Sequence, residues 1–105
     1  MKPFDYTFNV AGKPYVLRYS FAARRQFERQ ENISFPAFMR LLAEPATQTA
    51  DNIVKLFRMM LSTNHSDMSD VDVEVLIDQM GGEDVALKMF TDVIEDQTGG
   101  DKPNP

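Results

Sequence analysis

The apolar residues change period once, and the change falls at Ser20. Before it they alternate, as Phe4, Tyr6, Phe8 and Val10 in one segment and Tyr15, Leu17 and Tyr19 in the next. A period of two puts each set on one side of an extended strand. After Ser20 the spacing becomes three or four residues and holds to about Gln97. That is the period of helices that bury one stripe. An α+β fold follows, with an N-terminal β-hairpin packed against four to five α-helices. The turn is expected over Ala11-Gly12-Lys13-Pro14, with Gly12 supplying a positive φ. Pro14 has no N–H to give a ladder, so it belongs at a strand start or edge.

Ser20 and Ser34 each precede an apolar run, where a hydroxyl can accept from a free first-turn N–H. They predict one helix over 21–30, clustering Ala23, Phe27 and Gln30 and stopping near Asn32, and a second, short helix with Pro36 tolerated in its first turn. Residues 44–49 are the only internal linker, too short to separate domains, so 1–97 reads as a single domain and 98–105 as a mobile tail. The helix predicted over 50–62 is the most apolar, with Ile53, Val54, Leu56, Phe57, Met60 and Leu61, and it is placed at the centre of the packing. From Asp70 to Val75 acids and valines alternate as they would in a strand. Helix is the better reading, because Ser69 with Asp72 three residues on is a capping signature and Val73, Leu76, Ile77 and Met80 share one helical face. Gly81 suits a left-handed stop. A last helix over 83–97 is expected to bury Val85, Ala86, Leu87, Met89, Phe90, Val93 and Ile94.

Little in the chain can do chemistry. There is no cysteine, which removes disulfides, thiol nucleophiles and cysteine zinc sites. His65 is the only histidine and stands in a polar stretch without a second ligand at metal spacing, so it reads as an ordinary loop residue. A calcium loop counted from Asp70 fails, since Val75 stands where the turn glycine belongs and Gly81 where the bidentate glutamate belongs. No nucleophile elbow or phosphate-cradling glycine loop occurs. No catalytic residue, metal or cofactor is therefore expected, and the protein is not expected to be an enzyme. No apolar run approaches the roughly 18–20 residues that cross a bilayer, and the N-terminus lacks the apolar core of a signal peptide, so no membrane association and a cytosolic location are expected.

Two excesses bear on a surface that binds protein, and each has a plainer alternative: solvated faces for the charge, and the filling of a small core for the soft apolar residues. The net charge of −5 is uneven. Residues 1–50 hold seven Lys/Arg against four Asp/Glu, a net of +3, and residues 51–105 hold four against twelve, a net of −8. Opposite ends of opposite sign favour head-to-tail self-association, with Arg24, Arg25 and Arg29 on one side and Asp70, Asp72 and Glu74 on the other. The same arginines with Arg18 resemble a phosphate-binding strip, but the acidic balance and the lack of a helix-turn-helix or aromatic RNA-binding motif argue against nucleic acid. The second excess is seven Met and eight Phe without a Trp. Methionine adapts to irregular apolar partners. The expected partner-binding surface is Phe35, Phe38, Met39 and Leu42 on the short helix with Met59, because so short a helix has little core of its own to line. Aspartate at Phe38 and Met39 is then expected to abolish binding and spare the fold.

A strand pair over 8–19 leads into Phe21-Ala22-Ala23 with Phe27-Glu28, then a hydrophobic helix from Ile53 to Leu61. A polar turn into Met68-Ser69-Asp70-Val71-Asp72 follows, then Val75-Leu76-Ile77-Asp78 with Gly81-Gly82, and one closing amphipathic helix. In this order of elements the chain from Phe8 to Gln97 resembles the tail assembly chaperones of long-tailed bacteriophages, including those of gene-transfer-agent and prophage tail clusters. Arg24 departs from the pattern, standing where an apolar residue is expected. The resemblance implies a non-enzymatic role in the bacterial host cytoplasm. Such a chaperone coats the helical tape-measure protein, keeps it soluble, helps recruit tail tube subunits and is absent from the finished particle. A longer form is often made by frameshifting. The alternatives are a structural minor tail component retained in the virion and a small acidic protein-binding adaptor.

Overall fold

The computed structural model describes residues 5–97, with side chains to residue 95. The expected strand residue Phe4 and the expected tail over 98–105 lie outside the described residues. Strands β1 (Asp5–Val10) and β2 (Lys13–Arg18) pair antiparallel, Tyr6 opposite Leu17, Phe8 opposite Tyr15 and Val10 opposite Lys13. The alternating aromatics thus share one face, and Phe8 stacks on Tyr15 with ring centroids 5.7 Å apart. The turn is shorter than the four residues expected. Only Ala11 and Gly12 lie between the strands, with φ of 53° and 80°. Two positive φ values in a two-residue loop match the right-handed twist of the flanking strands. Lys13 and Pro14 are strand residues, and Pro14 is tolerated because alternate residues of β2 turn their N–H groups away from β1. At the open end Arg18 donates to Asp5 at 2.7 Å and holds that carboxyl below the usual carboxylate range.

Among the described residues five helices follow: α1 (Phe21–Glu31), α2 (Phe35–Ala43), α3 (Ala50–Leu61), α4 (Asp70–Met80) and α5 (Glu83–Gln97). The hairpin-plus-helices α+β architecture is the one the apolar periods predict. Each predicted cap is present. Ser20 Oγ accepts from the Ala23 N–H at 3.1 Å and Ser34 Oγ from the Ala37 N–H at 3.2 Å. Ser69 and Asp72 cap one another's backbone at 3.1 and 2.9 Å, which decides helix over strand for the acid–valine run. Asn32, at φ 56°, ends α1 in the left-handed conformation. The linker is tied to the end of α2, where Thr47 Oγ1 donates to the Leu41 carbonyl at 2.6 Å and Gln48 Nε2 to the Leu42 carbonyl at 2.8 Å. Those carbonyls are among the last of the helix, and that of Leu41 also accepts from the capping Glu44 N–H at 3.4 Å.

Helix α3 occupies the centre. It packs against β2, α1, α4 and α5, and Leu56, Phe57 and Met60 have no exposed surface. Of the α1 cluster, Ala23 and Phe27 are buried and Gln30 is exposed. In α5, Ala86, Phe90 and Val93 reach the core. Leu87, Met89 and Ile94 are half-buried against it, and Val85 is exposed, contrary to expectation. Val85 lies instead over Gly81 at the helix junction.

Candidate protein-binding groove

The apolar stripe of α2 faces inward, not outward. Phe35, Phe38, Leu42 and Met59 are buried, and Met39 is half-buried, so these residues do not form the expected partner surface. The Phe38 ring packs edge-on against Phe27 at 4.7 Å, while Phe35 meets Phe27 at 5.9 Å and Tyr19 at 5.5 Å. Helix α2 is short, but its stripe fills the space between α1 and the end of the hairpin. Burying each such ring gains roughly 1.5–3 kcal/mol over leaving it in water, and edge-to-face pairs add to that. Glu28 holds the arrangement by accepting from the Phe35 N–H at 2.6 Å. An aspartate at Phe38 therefore does not spare the fold.

A groove of about 490 Å³ runs between α1, α3 and the α3–α4 loop. Ala23, Phe27, Val54, Met59 and Met68 contribute apolar lining, so Met59 takes part in it from the core. Its rim carries both charges. Lys55 lies 3.3 Å from Glu31 and 3.3 Å from Asp51, and Arg58 lies 2.9 Å from Asp70. The Glu31 carboxylate, then Asp51, raises the Lys55 ammonium above its ordinary pKa. Gln26, Gln30, Ser62 and Ser66 line it as well, so its open surface is more polar than apolar, and it can take a helix whose contact face mixes apolar and polar groups.

His65 closes one end of the groove and has a structural task the sequence did not announce. Its Nε2 accepts from the Val16 N–H at 3.0 Å, and its ring lies 5.6 Å from that of Tyr15. Val16 stands one residue out of step with Tyr15, so its N–H points to the free edge of β2, where no strand receives it. The accepting nitrogen carries no proton, which places the neutral ring's proton on Nδ1. His65→Ala is expected to cost about 1–3 kcal/mol by leaving a part-buried donor unpaired. His65→Phe, which restores a ring without an acceptor, should recover little. Urea unfolding checks both, and a loss under about 0.5 kcal/mol for either would remove this role.

The charges assigned to self-association divide. Arg24 pairs with Glu28 at 3.5 Å along α1. Asp70 is held by Arg58, and Asp72 is used in its own helix cap. These three are engaged locally, and Arg18 is engaged by Asp5. Arg25, Arg29 and Glu74 are exposed and form no ion pair among the described residues. Among the described residues no three His, Asp or Glu gather as a metal site, and no helix is long and apolar enough to cross a membrane. Compared with known protein families, curated proteins and solved structures, the chain matches none.

Proposed function

We propose that this protein is a non-enzymatic tail assembly chaperone of a long-tailed phage. It binds the tape-measure protein in the bacterial host cytoplasm, keeps it soluble and helps bring tail tube subunits to it. The observation that supports this reading is the α1–α3 groove, a trough of mostly polar surface with Ala23, Phe27, Val54, Met59 and Met68 in its lining and a mixed-charge rim. The client the resemblance implies is a long helical chain whose apolar stripe needs cover before assembly. Four methionines are compatible with it, of which Met68 lines the groove. Met39, Met68, Met80 and Met89 are half-buried at the margin of the core, where flexible side chains can adjust to a sequence that varies along its length.

The test is co-expression with the long helical protein encoded in the same tail cluster. Its soluble fraction should rise several-fold in the presence of this chain. Gln30→Trp, placed at an exposed position that lines the groove, should remove most of that gain without unfolding the protein. A client equally insoluble with and without the chain would overturn the reading. Mass spectrometry of purified particles separates the structural alternative, because a chaperone is missing from them.

A further inference from the structure

The side of α1 that turns away from the groove is unusual for a monomer. Phe21, the first residue of the helix, is 78% exposed, and it begins a row with Arg25 and Arg29 at one-turn intervals, beside the small Ala22. Neither arginine has an ion-pair partner among the described residues. Elsewhere on the molecule is a face of the opposite kind. A hollow of about 190 Å³ between α3, α4 and the start of α5 includes Ala50, Ile53 and Ile77 in its lining and carries Glu74, Asp78 and Glu83. None of these carboxylates is ion-paired among the described residues. Beside the acids on α4 stand Val71 and Val75, 62% and 49% exposed, so two apolar residues and two acids make one stripe at i, i+3, i+4 and i+7.

We infer that the occupant of each face is the other face of a second copy of this chain. The match is one of chemistry and of spacing. Arg25 and Arg29 are four residues apart on one helix, and Glu74 and Asp78 are four apart on the other. Both intervals are about 6 Å along the axis, so the two arginines can meet the two carboxylates together. Phe21, one turn before the arginines, then reaches apolar surface at the hollow or at the Val71–Val75 ridge. Glu83 stands in the first turn of α5, where a third carboxylate adds to the attraction. Within one chain no ion pair joins the two faces among the described residues. The contact is heterologous, because each copy uses a different face on each side and keeps one free. Copies therefore add in sequence, into an open chain or a ring. The α1–α3 groove borders both faces, sharing Gln26 and Gln30 with one and Val54 with the other, but none of the residues that make the contact lines it, so the inference does not rest on the client reading.

Sedimentation velocity of the full chain tests it with two variants. Wild type should show sedimentation coefficients that grow with concentration at low ionic strength and fall back in high salt, as partly exposed ion pairs are screened. Arg25→Glu/Arg29→Glu alone and Glu74→Lys/Asp78→Lys alone should each associate at least about tenfold more weakly, since like charges then oppose. Mixing the two variants should restore association. In the mixture the native pair of faces and the charge-reversed pair both become complementary. Phe21→Ser, a change at an exposed site, should weaken association and leave the melting temperature alone. The inference is overturned if wild type stays monomeric at low salt and high concentration, if either variant associates as wild type does, or if the mixture stays monomeric.

Discussion

Phe38→Asp is expected to leave this protein without a cooperative unfolding transition. Phe38 is 2% exposed and sits between Phe27 and Phe35. Removing such a ring alone costs about 3–5 kcal/mol, because the cavity left behind collapses only in part. Aspartate adds a carboxylate among aromatic rings, and a buried charge in apolar surroundings costs more again. A domain of this size is stable by roughly 5–15 kcal/mol, so the sum reaches the whole margin. The same exchange at Phe21 serves as the control. That ring is 78% exposed at the start of a helix, where an acid is favoured by the free N–H groups. Phe21→Asp should therefore change stability by no more than about 0.5 kcal/mol. Near-ultraviolet circular dichroism and thermal melts of both variants decide the matter. A folded Phe38→Asp protein with a wild-type melt would mean that α2 does not face the core.

Gly81→Ala is expected to cost about 2–6 kcal/mol, and more than Gly82→Ala. Gly81 ends α4 at φ 124°, a backbone conformation that side-chain-bearing residues rarely adopt, and strain of this kind costs about 1–3 kcal/mol. A Cβ there would also stand 2.8 Å from Val85 Cγ2, closer than contact allows. Overpacking of this kind adds about 1–3 kcal/mol. Gly82 has φ 98° but open space where its Cβ would be, so only the backbone contribution applies. Chemical denaturation of the two alanine variants measures the difference. Equal losses would show that Val85 moves aside freely. The pair also explains why Val85 is not a core residue: its side chain is spent covering the α4–α5 junction.

Helix α4 shows how far local pattern reaches. Its acid–valine alternation over 70–75 imitates a strand, and the competing capping signature at Ser69 and Asp72 prevailed because those two bonds form within four residues. Capping depends on neighbours in sequence, so it can be read there. Helix α2 shows where that reach ends. Its stripe of Phe35, Phe38 and Leu42 was equally visible, but a stripe reports only that one face is apolar. What covers that face depends on Tyr19 and Phe27, brought to it by the hairpin and by α1. His65 is a sharper case. The partner of its ring nitrogen is the Val16 N–H, 49 residues away, and a backbone donor leaves no trace in composition or spacing. Arg24 and Asp70, both expected at an association face, have local partners: Glu28 lies one turn on in the same helix, while Arg58 is brought to Asp70 by the packing of α3 against α4.

The sequence by itself determined the hairpin, the order of four to five helices, the caps at Ser20, Ser34 and Ser69, and the central place of α3. Each of these follows from apolar period and from hydrogen bonds between residues a few positions apart. Only the tertiary structure decided which apolar faces remained open: it closed the α2 stripe, opened the α1–α3 groove and left Phe21 in water. Burial is a competition for a limited interior among all elements at once, and no segment carries the outcome of that competition in its own residues.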